Sequence, residues 1–340
     1  MKRIWICIVL ALVLVGCEDF LKKEIEIDMA DSTPKVTVTA TLENGVFYIF
    51  LGLSNPITSL PASPSGNVER ALIKLYEDGR EILTITEPSK IDESDIPFYF
   101  SYYPDENWVY PFFAYQEGVS FVPGKTYRLE VTVDGYPPVS STVVAPDEVQ
   151  VPYASMKRTP MVERDPSKVG CITEGEGFIG GCDRYYQISI NINDNPHTKD
   201  YYMIEVWELS ENNLSQLDVA TSDRALVRDN PDIMANQWLD DTDVNTYSFR
   251  QMILSDLTFG GGNNTLNLLL SSCSIYSPLN RSAFFVSVRH LNRESYHYYR
   301  TFALQQISLD FFSEPVSLIS NIDGGYGCFA VCTRTIALLQ

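Results

Sequence analysis

Val36-Thr-Val-Thr-Ala-Thr-Leu42 alternates apolar and polar side chains along its whole length, and Glu43-Asn-Gly45 then leads into the apolar run Val46–Leu53. Alternation with a period of two is typical of a β-strand with one buried face, and Asn-Gly favours the tight turn of a hairpin. These residues therefore predict an antiparallel hairpin at the start of the folded part of the chain.

Two further hairpins follow, each joined by an Asp-Gly turn. The first pairs Ala71–Tyr76 with Glu81–Thr86, and the second pairs Tyr127–Val133 with Val139–Val144. Six short strands with hairpin connections are typical of two packed antiparallel sheets. We therefore expect residues 35–146 to form an immunoglobulin-like or prealbumin-like β-sandwich.

The remaining residues, 147–340, predict a second β-rich domain with one helix. The helix begins after Asn292-Arg-Glu-Ser, which is a capping sequence, and extends to about Gln306. Glycines 324, 325 and 327 suggest a tight turn at which the backbone approaches a neighbour closely. The other strands are expected at Tyr185–Ile192, Tyr201–Leu209, Ser248–Leu254, Thr265–Leu270, Phe284–His290 and Phe329–Leu339.

The N-terminus has the organisation of a bacterial lipoprotein signal peptide. Met1-Lys-Arg3 precedes an apolar run from Ile4 to Val15, and Leu14-Val-Gly-Cys17 matches a lipobox. The run is shorter than the roughly 20 residues that a spanning helix needs. We expect cleavage after residue 16, acylation of Cys17, including palmitate, and a tether from residue 17 to residue 34. Acyl chains would then anchor the protein to a membrane.

The charge balance excludes nucleic acid as a partner. The chain has 25 Lys and Arg residues against 44 Asp and Glu residues, and its formal net charge is −19. Such a surface repels phosphate backbones, and no basic stripe interrupts it. The acids are spread along the chain, which is typical of a solubilising surface.

Five cysteines remain once Cys7 leaves with the leader and Cys17 is acylated. Cys171 and Cys182 flank a short glycine-rich segment in an exported protein, and we expect them to form a disulfide. Cys328 and Cys332 are about 13 Å apart on an extended strand, beyond disulfide reach. A bridge from one of them to Cys273 stays open. The three histidines are not spaced with the cysteines as a zinc site requires.

No arrangement of residues points to catalysis. The chain has no Gly-x-Ser-x-Gly motif. Its candidate bases are His290 and His297, and the candidate acids to orient one of them are Asp310 and Glu294. We therefore predict a non-enzymatic protein without a cofactor or metal. Two oxygen-rich turns, 191–195 and 240–243, leave calcium as an alternative to plain polar loops, although neither has EF-hand spacing.

An aromatic segment is the feature that a generic sandwich explains least. Eleven of the 24 residues from Phe98 to Phe121 are aromatic, and prolines interrupt them. Tyr and Trp combine a large apolar area with a hydrogen-bonding group, which suits recognition surfaces. The alternative is that about half of the rings pack inward. The predicted contact residues are Tyr102, Tyr103, Trp108, Tyr110, Phe112 and Phe113.

Several segments together resemble a known family. They are Ala71–Gly79, Pro123–Leu129, Glu294–Arg300, Phe311–Leu318 and Ser320-Asn-Ile-Asp-Gly-Gly-Tyr-Gly-Cys-Phe329. With the lipobox, they are similar to the domain-of-unknown-function 4249 family of Bacteroidota outer-membrane lipoproteins. Cys328 and Cys332 depart from the apolar residues usual in that family. Cys17-Glu-Asp19 also resembles the signal that exports such lipoproteins to the cell surface.

The resemblance implies a function beside an outer-membrane transporter, because the family's gene context is similar to that of TonB-dependent uptake systems. We therefore expect a surface-exposed, lipid-anchored accessory or substrate-capturing partner of a TonB-dependent transporter. The alternative from another class is an adhesin-like structural module that binds host or matrix polymers through the aromatic segment.

Replacing Cys17 by alanine should abolish acylation and leave an uncleaved precursor, because the thiol is the only acceptor in the lipobox. Metabolic labelling with a fatty acid measures this directly. Label that persists on the variant would contradict the lipoprotein assignment.

Overall fold

The described residues form three β-sheets and one helix. The computed structural model describes residues 33–54, 68–89, 112–158, 185–210, 213–217, 219–221, 247–249, 251–255, 262–271, 282–307 and 317–340. Within these ranges the structure is mainly β, as the sequence predicts. The helix, α1, spans Arg293–Ile307 and is neither long nor apolar enough to cross a bilayer.

The largest sheet, called the central sheet, has eight strands. Its strands are β1 (Val36–Glu43), β2 (Val46–Leu53), β5 (Phe112–Glu117), β10 (Tyr201–Ser210), β11 (Asn213–Leu217), β14 (Met252–Ser255), β16 (Ser282–Leu291) and β17 (Tyr326–Leu338). Their order in the sheet is β11-β10-β16-β17-β1-β2-β5, and β14 also pairs with β10.

Two smaller sheets complete the fold. The four-stranded sheet has the order β4-β3-β6-β7, and the five-stranded sheet has the order β13-β12-β15-β9-β8. Their strands are β3 (Ala71–Glu77), β4 (Arg80–Ile85), β6 (Thr126–Val133), β7 (Val139–Val144), β8 (Gln150–Arg158), β9 (Tyr185–Asp194), β12 (Val219–Thr221), β13 (Tyr247–Phe249) and β15 (Gly262–Ser271).

The three predicted hairpins are confirmed, because β1 pairs with β2, β3 with β4, and β6 with β7. The first turn has positive φ at Asn44 (42°) and Gly45 (91°), and the second has it at Asp78 (46°) and Gly79 (82°). Two successive residues with positive φ form the two-residue hairpin turn whose twist matches that of the strands it joins.

The last strand joins the two halves of the chain. Tyr326–Cys332 runs parallel to β1, whereas Cys332–Leu338 runs antiparallel to β16. The strand therefore changes partner at Cys332. Strand β1 and its parallel partner β17 are some 290 residues apart in the sequence. Because no hairpin turn joins them, no local turn signal can indicate this pairing.

Two hydrophobic cores lie on the same face of the central sheet, called the inner face. In the first core, Phe47 and Phe329 of the central sheet are buried with Ile73 and Tyr127 of the four-stranded sheet. The second core packs the other half of the central sheet against the five-stranded sheet; its members include Ile190, Val206, Leu268 and Val288.

The immunoglobulin-like or prealbumin-like sandwich predicted for residues 35–146 is not confirmed. Its β1, β2 and β5 belong to a sheet that continues through the C-terminal half, and its core includes Phe329 and Val331. The predicted strand Ser248–Leu254 is also divided, because β13 lies in the five-stranded sheet and β14 in the central sheet.

Helix α1 covers part of the opposite face of the central sheet, called the outer face. Its start is as predicted: the Asn292 carbonyl accepts a hydrogen bond from the Tyr296 backbone N–H. The Asn292 side-chain oxygen accepts bonds from the Ser295 hydroxyl and, at 3.2 Å, from the Val331 N–H. The Tyr296 ring stacks on Tyr201 with centroids 4.5 Å apart. The cap thus fixes the helix to both β17 and β10.

Two glycines at the start of β17 are needed for the parallel pairing. A Cβ atom on Gly327, whose φ is 113°, would lie 1.9 Å from the Val38 carbonyl oxygen, and one on Gly325 would lie 2.5 Å from the Val36 oxygen. The Asn321 side chain completes the turn by bonding both the N–H and the carbonyl of Phe329, at 2.9 and 2.8 Å. The predicted close approach is therefore confirmed, and the neighbour is β1.

Replacing Gly327 by alanine should lower the free energy of unfolding by at least about 2 kcal/mol, because it adds a clash with backbone to the strain of a positive φ. Gly118→Ala is the matched control. Gly118 also has a positive φ, 77°, but a Cβ there meets nothing within 4 Å. Urea denaturation of both variants measures the difference, and equal losses would contradict the close-approach explanation.

Candidate functional site

A cleft opens where the four-stranded sheet, the β9–β10 loop and the start of α1 meet. Its volume is about 460 Å³. The connector from β7 to β8 forms one wall, and the ends of β16 and α1 form another. The residues that the structure places around it are Gly124, Thr142–Asp147, Thr198–Tyr201 and His290–Glu294.

His290 lies at the base of this cleft with both ring nitrogens engaged. Its Nδ1 is 2.8 Å from the Asp147 carbonyl oxygen, and its Nε2 is 3.2 Å from an Asp200 carboxylate oxygen. A carbonyl oxygen only accepts, so Nδ1 carries a hydrogen and donates it. Nε2 faces the Asp200 carboxylate, so each ring nitrogen lies beside an acceptor oxygen.

Asp200 is held in its ionised form. Burial alone would raise the pKa of its carboxyl, but the hydrogen bonds from His290 and Thr198 outweigh burial, and the pKa lies below its usual value. The Thr198 hydroxyl donates to the second carboxylate oxygen at 2.7 Å. Beneath it, the Tyr202 hydroxyl donates to Asp194, and the Tyr202 and His290 rings are 5.2 Å apart.

This cluster fixes the connector rather than presenting a reacting group. The Thr333 hydroxyl donates at 2.9 Å to the same Asp147 carbonyl that His290 bonds, and the Thr335 hydroxyl donates at 2.6 Å to the Val149 carbonyl. A general base needs a free lone pair within reach of its substrate. Since both nitrogens of His290 are already bonded, its geometry is that of a clamp between the sheets.

His297 lies on the other face of the sheet. Its ring centroid is 6.2 Å from that of Tyr201, whereas His290 contacts the neighbouring residue Tyr202. Successive side chains of a strand point to opposite faces. His290 and His297 are therefore not brought together. Asp310 lies outside the described residues.

A second charged cluster is buried on the outer face. Arg289 donates through Nε to Glu43 at 2.7 Å and through Nη1 to Glu205 at 2.6 Å, and Arg334 lies 3.4 Å from the other Glu43 oxygen. Burial alone would lower the pKa of Arg289, but Glu205 and Glu43 raise it well above its usual value. Sequence reasoning missed this network. Its signal was two opposite charges, Glu205 and Arg289, inside otherwise apolar strands.

Cys328 and Cys332 are free, buried thiols, so the alternative that one of them pairs with Cys273 is wrong. Burial raises the pKa of the Cys328 thiol to about 12 and raises that of Cys332 well above its usual value. Both therefore stay protonated at neutral pH and are poor nucleophiles. Cys332 contacts Glu43 at 3.4 Å.

The described ranges contain no cluster of three or more His, Cys, Asp or Glu side chains that could hold a metal ion. In the turn at 191–195, the Asn191 amide donates to Thr265 and the Asn193 amide to Gln150, while Asp194 accepts from Tyr202. Residues 191–194 thus lie in β9, and these three side chains take part in hydrogen bonds with neighbouring strands. The turn at 240–243 lies outside the described residues.

Two of the six predicted contact residues are inside the fold. Phe112 is 4% exposed and packs in the first core, and Phe113 is 5% exposed with its ring 4.5 Å from that of Phe50. Both belong to β5, which pairs with β2 in the central sheet. Tyr102, Tyr103, Trp108 and Tyr110 lie outside the described residues, as do Cys17, Cys171 and Cys182.

Replacing Asp200 by asparagine should destabilise the fold at neutral pH by about 1–3 kcal/mol, because it removes the charged partner of a buried hydrogen-bonded group. A lowered carboxyl pKa contributes stability above the unfolded value, about 3.9, and this contribution is lost as the pH falls through the folded value. The difference between wild type and variant should therefore shrink below about pH 4.

Denaturation at several pH values measures this difference. Asp147→Asn is the matched control, since its exposed carboxylate adjoins the same cluster but only its backbone carbonyl takes part. A pH-independent loss in Asp200→Asn would contradict stabilisation by the ionised Asp200 carboxylate.

The comparison with known families covers nearly the whole fold. A model of the family described as Domain of unknown function (DUF4249) matches residues 22–336, which include the first sixteen strands and most of β17. No curated protein sequence matches the chain. The match contains the Gly325 and Gly327 turn and the Glu43–Arg289 network. By this match the chain belongs to the domain-of-unknown-function 4249 family.

Proposed function

We propose that this protein is a surface-exposed outer-membrane lipoprotein that acts, without catalysis, as an accessory or substrate-capturing partner of a TonB-dependent transporter. The observation that carries the proposal is the lipobox ending at Cys17, followed at once by Glu18-Asp19. An acylated cysteine would attach the chain to a membrane, and an acidic start to the mature chain suits export to the surface. We infer the transporter as the partner because the family's gene context is similar to that of TonB-dependent uptake systems.

The way the charged groups are engaged supports binding rather than catalysis. His290 has both nitrogens bonded, Arg289 is held between two carboxylates, and both described thiols are buried. Enzymes instead keep perturbed groups within reach of a substrate. What the fold offers to a partner is a rigid scaffold of three sheets.

The aromatic segment remains our proposed contact surface, restricted to Tyr102, Tyr103, Trp108 and Tyr110. Phe112 and Phe113 belong to β5, which ends the order of described strands in the central sheet, and the four proposed contact residues precede it in the sequence. Binding residues on loops beside a rigid scaffold are common in proteins. Burial of the two phenylalanines would hold the end of the segment in place.

Replacing Trp108 by alanine should weaken association with the transporter by about 2 kcal/mol or more, roughly 30-fold, while the melting temperature changes little. The measurement is co-purification of the full-length tagged chain after mild detergent extraction, together with thermal unfolding. Phe112→Ala is the control: its ring is 4% exposed, so that change should instead cost about 3–5 kcal/mol of stability.

A stoichiometric β-barrel partner would support the transporter proposal. If purified chain binds host or matrix polymers through Trp108 and no barrel co-purifies, the adhesin-like alternative is correct instead. A large fall in melting temperature in Trp108→Ala would end the assignment of that ring to a contact surface.

A further inference from the structure

We infer that a patch on the outer face lies against a lipid bilayer and so sets how the anchored protein sits on its membrane. The patch, called the outer-face patch, is formed by Lys35, Tyr298, Phe302, Ile319 and Tyr326. The inference rests on the proposed acylation of Cys17, because it concerns the contact that an anchored chain makes with the bilayer.

The outer-face patch exposes large apolar side chains to solvent. Phe302 is 39% exposed, Ile319 is 49% exposed and Tyr326 is 44% exposed. Elsewhere in the described structure, the apolar side chains of the strands pack into the hydrophobic cores. A group of exposed apolar side chains, unlike a single one, marks a surface that contacts a partner or a membrane.

Contacts within the structure place Phe302 and Ile319 side by side. The Tyr298 and Phe302 rings, one turn apart on α1, stack with their centroids 6.0 Å apart. The Ile319 backbone N–H donates at 3.0 Å to the hydroxyl of Thr301, which directly precedes Phe302. The segment that carries Ile319 therefore runs along the last turns of the helix.

Strand β17 brings Tyr326 to the same surface. The Tyr298 side chain hydrogen-bonds Thr39 of β1. Thr37 lies two residues earlier on the same face of β1, about 7 Å from Thr39, and it is the register partner of Tyr326. Tyr326 thus lies next to the strand position that Tyr298 contacts, and the patch is continuous from β1 to the helix.

The chemistry of the outer-face patch suits the boundary between acyl chains and headgroups. The Lys35 Nζ lies 5.2 Å from the centroid of the Tyr326 ring. Tyrosine is enriched at this boundary, and a lysine can keep its apolar stem on a ring while its ammonium group reaches the phosphates. Phe302 and Ile319 supply side chains that can enter the acyl region. The combination favours a bilayer as the occupant of the patch.

The position of the outer-face patch along the chain supports the same occupant. Lys35 directly precedes β1 and follows the tether, so the folded part of the chain begins at the patch. An acyl anchor at Cys17 would make the contact with the bilayer intramolecular, and a few apolar side chains are then enough to hold it. Because the net charge is −19, we expect contact with zwitterionic rather than anionic lipid.

Cross-linking from the lipid phase tests the inference on the full acylated chain. The chain is reconstituted into phosphatidylcholine vesicles that contain a phospholipid with a benzophenone on its acyl chain. Trypsin then releases residues 301–334 as one peptide, which carries Phe302, Ile319 and Tyr326. The reference peptide, residues 129–157, carries Val144 and Tyr153, which are 54% and 49% exposed on other sheets.

We expect at least about fivefold more lipid adduct in residues 301–334 than in residues 129–157, with the adducts at the residues of the patch, because only the patch would enter the acyl region. Equal labelling of the two peptides would overturn the inference. Labelling of the reference peptide alone would also overturn it.

Variants that remove apolar side chains test the patch directly. Phe302→Ser combined with Ile319→Ser should lower the adduct yield in residues 301–334 about fivefold, because interfacial binding scales with buried apolar area. Both side chains are exposed, so the melting temperature should change little. Val144→Ser combined with Tyr153→Ser is the matched control and should leave that yield unchanged. An unchanged yield in the patch variant would overturn the inference.

The intact mass of the chain separates this inference from the proposal on which it rests. An unmodified Cys17 would contradict the lipoprotein proposal and the inference together. An acylated chain without adducts at the patch would overturn the inference alone. Adducts at the patch without a co-purifying barrel would support the inference and count against the transporter proposal alone.

Discussion

Arg289, held between Glu43 and Glu205, is the interaction on which the rest of the fold depends. It connects β16 to the end of β1 and to β10, and Arg334 of β17 adds a second cation to Glu43. The four side chains have little contact with solvent, and their formal charges sum to zero. Removing one partner from a buried ion pair typically costs about 3–5 kcal/mol, because the other charge is left uncompensated. The network therefore favours only arrangements that bring β1 to the C-terminal strands.

The path of β17 follows from the same constraint. Cys332 lies opposite Glu43 of β1 on one side and Leu291 of β16 on the other, so the strand changes partner beside the charge network. Before Cys332, β17 contributes Phe329 and Val331 to the first core, and after Cys332 the chain contributes Leu339 to the second core. The two glycines at the start of β17 have a physical reason here, because Gly325 and Gly327 let the strand approach the β1 carbonyls.

Local features of the chain could be predicted from the sequence, and long-range ones could not. Asn44-Gly45 and Asp78-Gly79 specify turns through their own backbone preferences, and Asn292 specifies a helix start, so those elements were expected where they occur. The pairing of β1 with β17 depends on compatibility between segments separated by nearly the whole chain, which neither segment reveals alone. Glu43 and Arg289 became a pair only through that contact. The hydrogen bond between His290 and the Asp147 carbonyl could not be predicted either, because every residue has a backbone carbonyl and the sequence does not show which one is the acceptor.

The parallel pairing of β1 with β17 has a consequence for how the molecule is made. Strand β1 cannot acquire one of its two sheet neighbours until some 290 further residues have been synthesised, and the first core lacks Phe329 until then. Contacts of such sequence separation slow folding. A truncation of a dozen C-terminal residues would disturb the N-terminal core as much as the region it removes.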